Sequence, residues 1–302
     1  MPVEEALGAA ALSGKTLTIA YSPCPNDTFV FHAWAHGLIP GAPRIEVTFA
    51  DIDITNGLLG GAGGSASSTT TESGRGLDVM KISYAALPDA LEEYELLPCG
   101  GALGRGCGPL VLTSGSGSDA ATARDLAGRS VAVPSLKSTA YLLFQRWIEQ
   151  ELPGGVAELA EVRVLPFHEI MPAVRAGQVD AGLVIHEARF TYPDFGLRAL
   201  ADLGEWWEQE TGAPIPLGAI VARRSLGRAA LDQLAEVIRA SVQHAFAHPE
   251  DSSEYVMAHA QEMDPEVAKA HIALYVNEFT VDLGPDGRAA IDRLLGGGYA
   301  SS

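Results

Sequence analysis

Two stretches of this chain, far apart in sequence, are spelled alike, and that echo narrows the folds open to it. Gly76-Leu-Asp78 leads into the apolar run Val79-Met-Lys-Ile-Ser83, and Gly177-Gln-Val-Asp180 leads into Ala181-Gly-Leu-Val-Ile-His186. Each is a glycine–aspartate turn, a short buried strand, and a polar residue where the strand ends. Such turns are common in α/β proteins, so the echo alone is weak. It gains weight from two segments, Pro109–Leu112 and Pro216–Val221, that read as strands crossing between halves of the chain. The pattern predicts two lobes built alike, with their polar strand ends facing each other across a ligand cleft that closes about a hinge. The first lobe is then discontinuous, 15–114 and 213–302, and the second covers 115–212. A chain of 302 residues also favours two domains.

The rest of the sequence alternates strands and helices, as an α/β fold requires. Leu17–Tyr21 is a β-rich run. Ser22-Pro-Cys-Pro-Asn-Asp-Thr28 follows as a shaped turn, and Phe29–Gly37 continues with helical periodicity. Asp27 or Thr28 is placed to cap that helix. The loop lies at the C-terminal end of a strand, where α/β sheets put their ligands. Further strands are expected at 44–49, 131–134, 162–165, 181–185 and 220–222, with helices at 138–149, 168–176, 231–247 and 266–275. Gly60–Gly76 has no apolar periodicity and reads as a flexible Gly/Ser/Thr-rich loop.

Charge and composition exclude several functions. With 20 Lys and Arg against 38 Asp and Glu, the net charge is -18, which repels nucleic-acid backbones and anionic membranes. No window approaches 18 apolar residues, so no membrane span is expected. The opening fourteen residues hold two acids and no base, unlike a secretory signal, and the chain is expected in the cytoplasm. Cys24, Cys99 and Cys107 are an odd set without C-x-x-C spacing and read as thiols in a reducing compartment. His32/His36 and His244/His248 have i, i+4 spacing but lack the Glu of an H-E-x-x-H site, so no metal is expected.

His186 is the foremost candidate for chemistry. It emerges from an apolar strand into the polar run Glu187–Tyr192, and an imidazole suits proton transfer near neutral pH. A histidine satisfied by a backbone carbonyl also fits the position. Ser83 ends the first strand of the echo. Thr139 opens a helix whose free N–H groups could take a carboxylate, although N-capping is the commoner role for a hydroxyl there. Lys81, Arg105 and Arg189 could pair with a substrate carboxylate. Arg105 falls in Gly100–Gly108, where five glycines in nine residues suggest backbone packed closely against something. The run lacks a phosphate-loop ending. Trp206-Trp207 could stack on an aromatic ligand or pack a helix inward.

Taken in order, seven motifs resemble the 1,4-dihydroxy-6-naphthoate synthases of the futalosine menaquinone route. They are Ser22–Phe29, Lys81–Tyr84, Gly100–Gly106, Ser138–Leu142, Ile185–Tyr192, Asp202–Trp207 and Pro216–Ala219. The resemblance implies a type II periplasmic-binding-protein-like fold and a cofactor-independent, cytoplasmic lyase. That enzyme takes a small-molecule substrate, cyclic dehypoxanthine futalosine, to 1,4-dihydroxy-6-naphthoate by C–C cleavage. It implies that His186 is the proton acceptor, and that Lys81, Ile82, Ser83, Thr139, Ala140 and Asn56 contact substrate. The sequence departs from the family after Asn56, where a short helix and tight loop are expected and the Gly/Ser/Thr-rich run stands instead. Three rival functions share the fold: a transporter's solute-binding protein, a ligand-sensing regulatory domain, and chorismate dehydratase of the same pathway. The missing export signal, the absence of room for a helix-turn-helix and the His186–Tyr192 segment weigh against them in turn.

Overall fold

The computed structural model describes residues 11–59, 76–115, 120–260 and 264–299. The expected loop at Gly60–Gly76 falls, apart from Gly76, outside them. The chain divides into two compact units, one made of 1–103 and 218–302 and the other of 104–217. The first boundary falls before the expected 114 because the crossing strand Leu110–Ser114 pairs along its length inside the second unit. The second falls at 218, within the strand Ile215–Arg223, where 213 was expected.

Strands β1 (Thr16–Tyr21), β2 (Arg44–Phe49), β3 (Val79–Ser83), β4 (Tyr94–Leu96) and β5 (Ala102–Gly104) come first. Next are β6 (Leu110–Ser114), β7 (Ser130–Val133), β8 (Glu161–Val164), β9 (Ala181–Val184) and β10 (Leu197–Asp202), and last β11 (Ile215–Arg223). The first sheet has the order β2-β1-β3-β11-β4, with β5 also on β11, and the second runs β8-β7-β9-β6-β10. The two orders follow one plan. In each, the echo strand lies third, parallel to its neighbour on one side (Ile19 opposite Val79; Val131 opposite Ala181) and antiparallel on the other.

The aspartates of the echo do the same work in both units. Asp78 Oδ2 accepts from the Thr18 N–H at 2.9 Å and from its hydroxyl at 3.2 Å. Asp180 Oδ2 accepts from the Ser130 N–H at 2.8 Å and from its hydroxyl at 2.7 Å. Each carboxylate thus ties the turn before the echo strand to the start of the parallel strand beside it. The glycine–aspartate spelling therefore has a physical meaning: glycine or a short turn admits the bend, and aspartate fixes the register.

The first unit packs Ile19, Tyr21 and Val79 against Phe31 and Trp34 of the Pro25–Ala35 helix and against Leu234 and Ile238 of the Arg228–Ala247 helix. The second packs Leu112, Ala132 and Val184 against Ile170 and Val174 of the Phe167–Arg175 helix. Among the glycines at 100–108, Gly100, Gly101 and Gly108 meet close neighbours, whereas Gly106 meets nothing within 4 Å. A Cβ on Gly101 would lie 2.6 Å from the Gly218 carbonyl oxygen, and one on Gly108 would lie 2.2 Å from the backbone of Gly204. Among the described residues, no helix is long and apolar enough to cross a membrane.

Candidate functional site

In the first unit the loop and helix after β1, the Ile52–Gly57 helix and strand β3 carry a connected polar set. The helix that follows β1 begins at Pro25 and not at Phe29, because proline's fixed φ suits the first helical position. Cys24 is then the residue before the helix and makes no side-chain cap. Asp27, expected as a cap, instead turns its carboxylate to the Lys81 ammonium of β3 in an ion pair buried on both sides, 7% and 1% exposed. The Asp27 carboxylate also accepts from the Ser22 N–H at 3.3 Å and from the Asn26 amide at 2.7 Å. Burial pushes the Asp27 carboxyl above its ordinary range, while the Lys81 ammonium and these hydrogen bonds pull it back down.

Two residues along β3, Ser83 meets Asn56 of the Ile52–Gly57 helix. The Asn56 amide donates to the Ser83 hydroxyl at 2.9 Å, and the Ser83 N–H donates back to the Asn56 carbonyl oxygen at 2.8 Å. Because the Ser83 oxygen accepts from Asn56, its own proton can be directed elsewhere. Lys81 and Ser83 share one face of the strand, and Ile82 faces the other, where it is fully buried. Contact between Ile82 and a ligand would therefore have to come from its main chain. Gly218 of β11, opposite Ser83, makes room for the Lys81 stem: a Cβ there would lie 2.6 Å from Lys81 Cε.

The second unit carries His186 and the helix Thr139–Glu151. His186 follows β9 with φ at 54°, the one non-glycine residue with positive φ among those described. That left-handed conformation is uncommon outside glycine and is most readily taken by Asn, Asp and His. The Phe167 ring stands edge-on to its imidazole, with centroids 5.6 Å apart. The His186 carbonyl accepts from the Arg189 N–H at 3.2 Å and the Glu187 carbonyl from the Phe190 N–H at 2.8 Å, which closes the turn out of the strand. The cap of the Thr139 helix is Ser138, whose hydroxyl accepts from the Tyr141 N–H at 3.1 Å. Thr139 is thereby released from capping, and its hydroxyl donates to the Leu217 carbonyl at 3.1 Å. Ala140, 4% exposed, sits in the first turn, where helical N–H groups lack partners of their own.

Two arginines that could have met a substrate carboxylate are engaged within this unit. Arg189 pairs with Asp202 and donates to the Gly108 carbonyl at 2.9 Å, while Asp202 caps the Leu203–Thr211 helix through Gly204 and Glu205. Arg105 lies 3.4 Å from Glu208 and donates to the Gly212 carbonyl at 3.0 Å. Trp207 packs inward, 2% exposed, and donates to the Pro214 carbonyl. Sequence reasoning missed the role of Asp27, together with Asn26 and His271 behind it. Its one usable signal was an acid in the loop at a strand's C-terminal end.

Against known proteins, residues 17–300 match the menaquinone biosynthesis family. Over 284 residues the sequence is 63% identical to a 1,4-dihydroxy-6-naphthoate synthase of Streptomyces coelicolor, spanning 94% of this chain and 93% of that one. The solved structure of a protein from Archaeoglobus fulgidus, 30% identical, aligns with a TM-score of 0.77 over 92% of this chain and 95% of its own. The periplasmic aliphatic sulphonate binding protein of Escherichia coli, 14% identical, aligns at 0.63 over 94% and 86%. The last likeness shows the fold alone, which is that of periplasmic binding proteins.

Proposed function

This chain belongs to the menaquinone biosynthesis family, and from that premise we propose that it converts cyclic dehypoxanthine futalosine to 1,4-dihydroxy-6-naphthoate as a carbon–carbon lyase. It is an enzyme of that pathway, with the 1,4-dihydroxy-6-naphthoate synthases as its relatives. The observation that carries the finer reading is His186. A side chain held in a costly backbone conformation at a strand end persists only where its surroundings enforce it, and such positions cluster at functional sites.

In this reading His186 takes a proton from a substrate hydroxyl. The O–H electrons form a carbonyl, the adjacent C–C bond breaks, and its electron pair passes into the ring that becomes the aromatic naphthoate. No oxidant or reductant is consumed. General-base help of this kind contributes about 10²–10⁴-fold. The first-turn N–H groups at Thr139 and Ala140 suit the substrate carboxylate, and Ser83, held by Asn56, suits a hydrogen bond to an oxygen. An odd set of three cysteines without C-x-x-C spacing supports a reducing, cytoplasmic setting.

Incubating the purified protein with cyclic dehypoxanthine futalosine and following the product by mass spectrometry tests the proposal. The naphthoate is the expected product. No turnover of this substrate, or dehydration of chorismate in its place, overturns the reading.

A further inference from the structure

Lys81 carries the charge that would attract a carboxylate, yet it is already answered. Its ammonium rests on Asp27, and Asp27 is held from two other directions by Ser22 and Asn26. Asn26 is itself fixed. With its amide nitrogen turned to the carboxylate, its oxygen faces His271 Nε2 at 3.0 Å, so the ring donates from that nitrogen. His271 is fully buried on the Pro265–Tyr275 helix. The chain His271–Asn26–Asp27 therefore keeps the carboxylate from swinging away. Gly218 leaves room for the Lys81 stem alongside, and the neighbouring pair Ser83 and Asn56 is uncharged.

The polar set Lys81, Asp27, Asn56 and Ser83 thus has no net charge but offers both donors and an acceptor. A carboxylate seated on Lys81 would meet the Asp27 carboxylate at short range, and like charges that close disfavour each other strongly where water is scarce. A hydroxyl or carbonyl oxygen meets no such repulsion. It can accept from Lys81 or Ser83, and a hydroxyl can also donate to Asp27.

We propose that Asp27 is a specificity-determining residue that cancels the charge of Lys81, so that this unit recognises the hydroxyl-bearing part of the substrate and rejects its carboxylate. The inference deepens the proposed function and rests on it for the substrate's identity.

The test is Asp27→Asn, which uncovers the ammonium without changing size. Calorimetric titration with sodium sulfate should find one more sulfate bound per chain than in the wild type, with millimolar affinity. Sulfate should also become a competitive inhibitor, and KM for cyclic dehypoxanthine futalosine should rise at least about tenfold with kcat within about threefold. Asp27→Glu should restore most of the affinity for substrate. Equal sulfate binding in variant and wild type, or a KM within about twofold, overturns the proposal. If Asp27→Asn does not fold, Lys81→Gln is compared with the double variant D27N/K81Q. The uncharged double variant should have the lower KM by at least about tenfold, and equal values overturn the proposal. A wild type without turnover sinks the functional reading, while the sulfate titration still decides this one.

Discussion

Ser83 and Asn56 exchange two hydrogen bonds, one through the serine hydroxyl at 2.9 Å and one through its backbone N–H at 2.8 Å. The two bonds can be separated by substitution. Asn56→Ala leaves a buried N–H unsatisfied, which costs about 1–3 kcal/mol. Asn56→Asp keeps an acceptor for that N–H but draws the hydroxyl proton onto its carboxylate. The aspartate variant should therefore melt closer to wild type than the alanine variant, yet lose at least about tenfold in kcat/KM. Wild-type turnover in Asn56→Asp would show that the hydroxyl proton is not used.

His186→Asn should cut kcat and kcat/KM together by about a hundredfold or more, because asparagine cannot take up a proton near neutral pH. Asparagine also tolerates the left-handed backbone at this position, so the melting temperature should hardly move. His186→Val places a β-branched residue at φ 54° and should melt lower than His186→Asn by at least about 2–4 °C, the shift expected from roughly 1 kcal/mol in a chain this large. A folded asparagine variant that keeps more than about a tenth of wild-type kcat removes His186 as the base.

Gly218→Ala should act on substrate through Lys81. The added methyl would lie 2.6 Å from Lys81 Cε and 3.7 Å from Ile52 Cδ1. Since the ammonium is tied to Asp27, the stem has little freedom to give. We expect about 1–3 kcal/mol of destabilisation from overpacking and at least about a tenfold rise in KM, both readable from a melting curve and a substrate titration. A variant that melts lower but keeps its KM would separate Lys81 from substrate binding.

A pH dependence follows from His32. Burial lowers its pKa from 6.5, and the neighbouring His36 and His244 lower it further against the pull of Asp251. The unfolded chain therefore binds a proton in a pH range where the folded one does not. Stability from this group is complete above pH 6.5 and is lost as pH falls from there through the folded value, below which it levels off. Melting temperatures between about pH 5 and 7 should slope upward with pH, and His32→Gln should flatten that slope. An unchanged slope in the variant would assign it to other groups.

Much of the fold was legible because it rests on short-range signals. Each echo strand directly follows its own glycine–aspartate turn, and the alternation of strand and helix is read from equally short windows. The partners of those aspartates were not legible, since Thr18 and Ser130 lie in strands with no shared spelling. The candidate site shows the same division. His186 announces itself by emerging from an apolar run. Asp27 reads locally as a cap, and its role depends on Lys81, 54 positions away. The Ser138 and Thr139 hydroxyls are adjacent, so sequence could not tell which one caps. Arg189 looks available until Asp202 and the Gly108 carbonyl are seen beside it.

The position of β11 also bears on how the chain folds as it leaves the ribosome. This strand lies between β3 and β4, and β4 and β5 both pair with it, so the first sheet lacks its middle until residue 223 has been made. Every strand of the second sheet is complete by residue 202. At elongation rates of roughly 5–20 residues per second, β3 waits on the order of ten seconds with one edge unpaired. Vectorial synthesis thus inverts the usual order: the later-encoded unit can consolidate first, and the nascent β3 edge is the place where a chaperone or a stray neighbouring strand would bind.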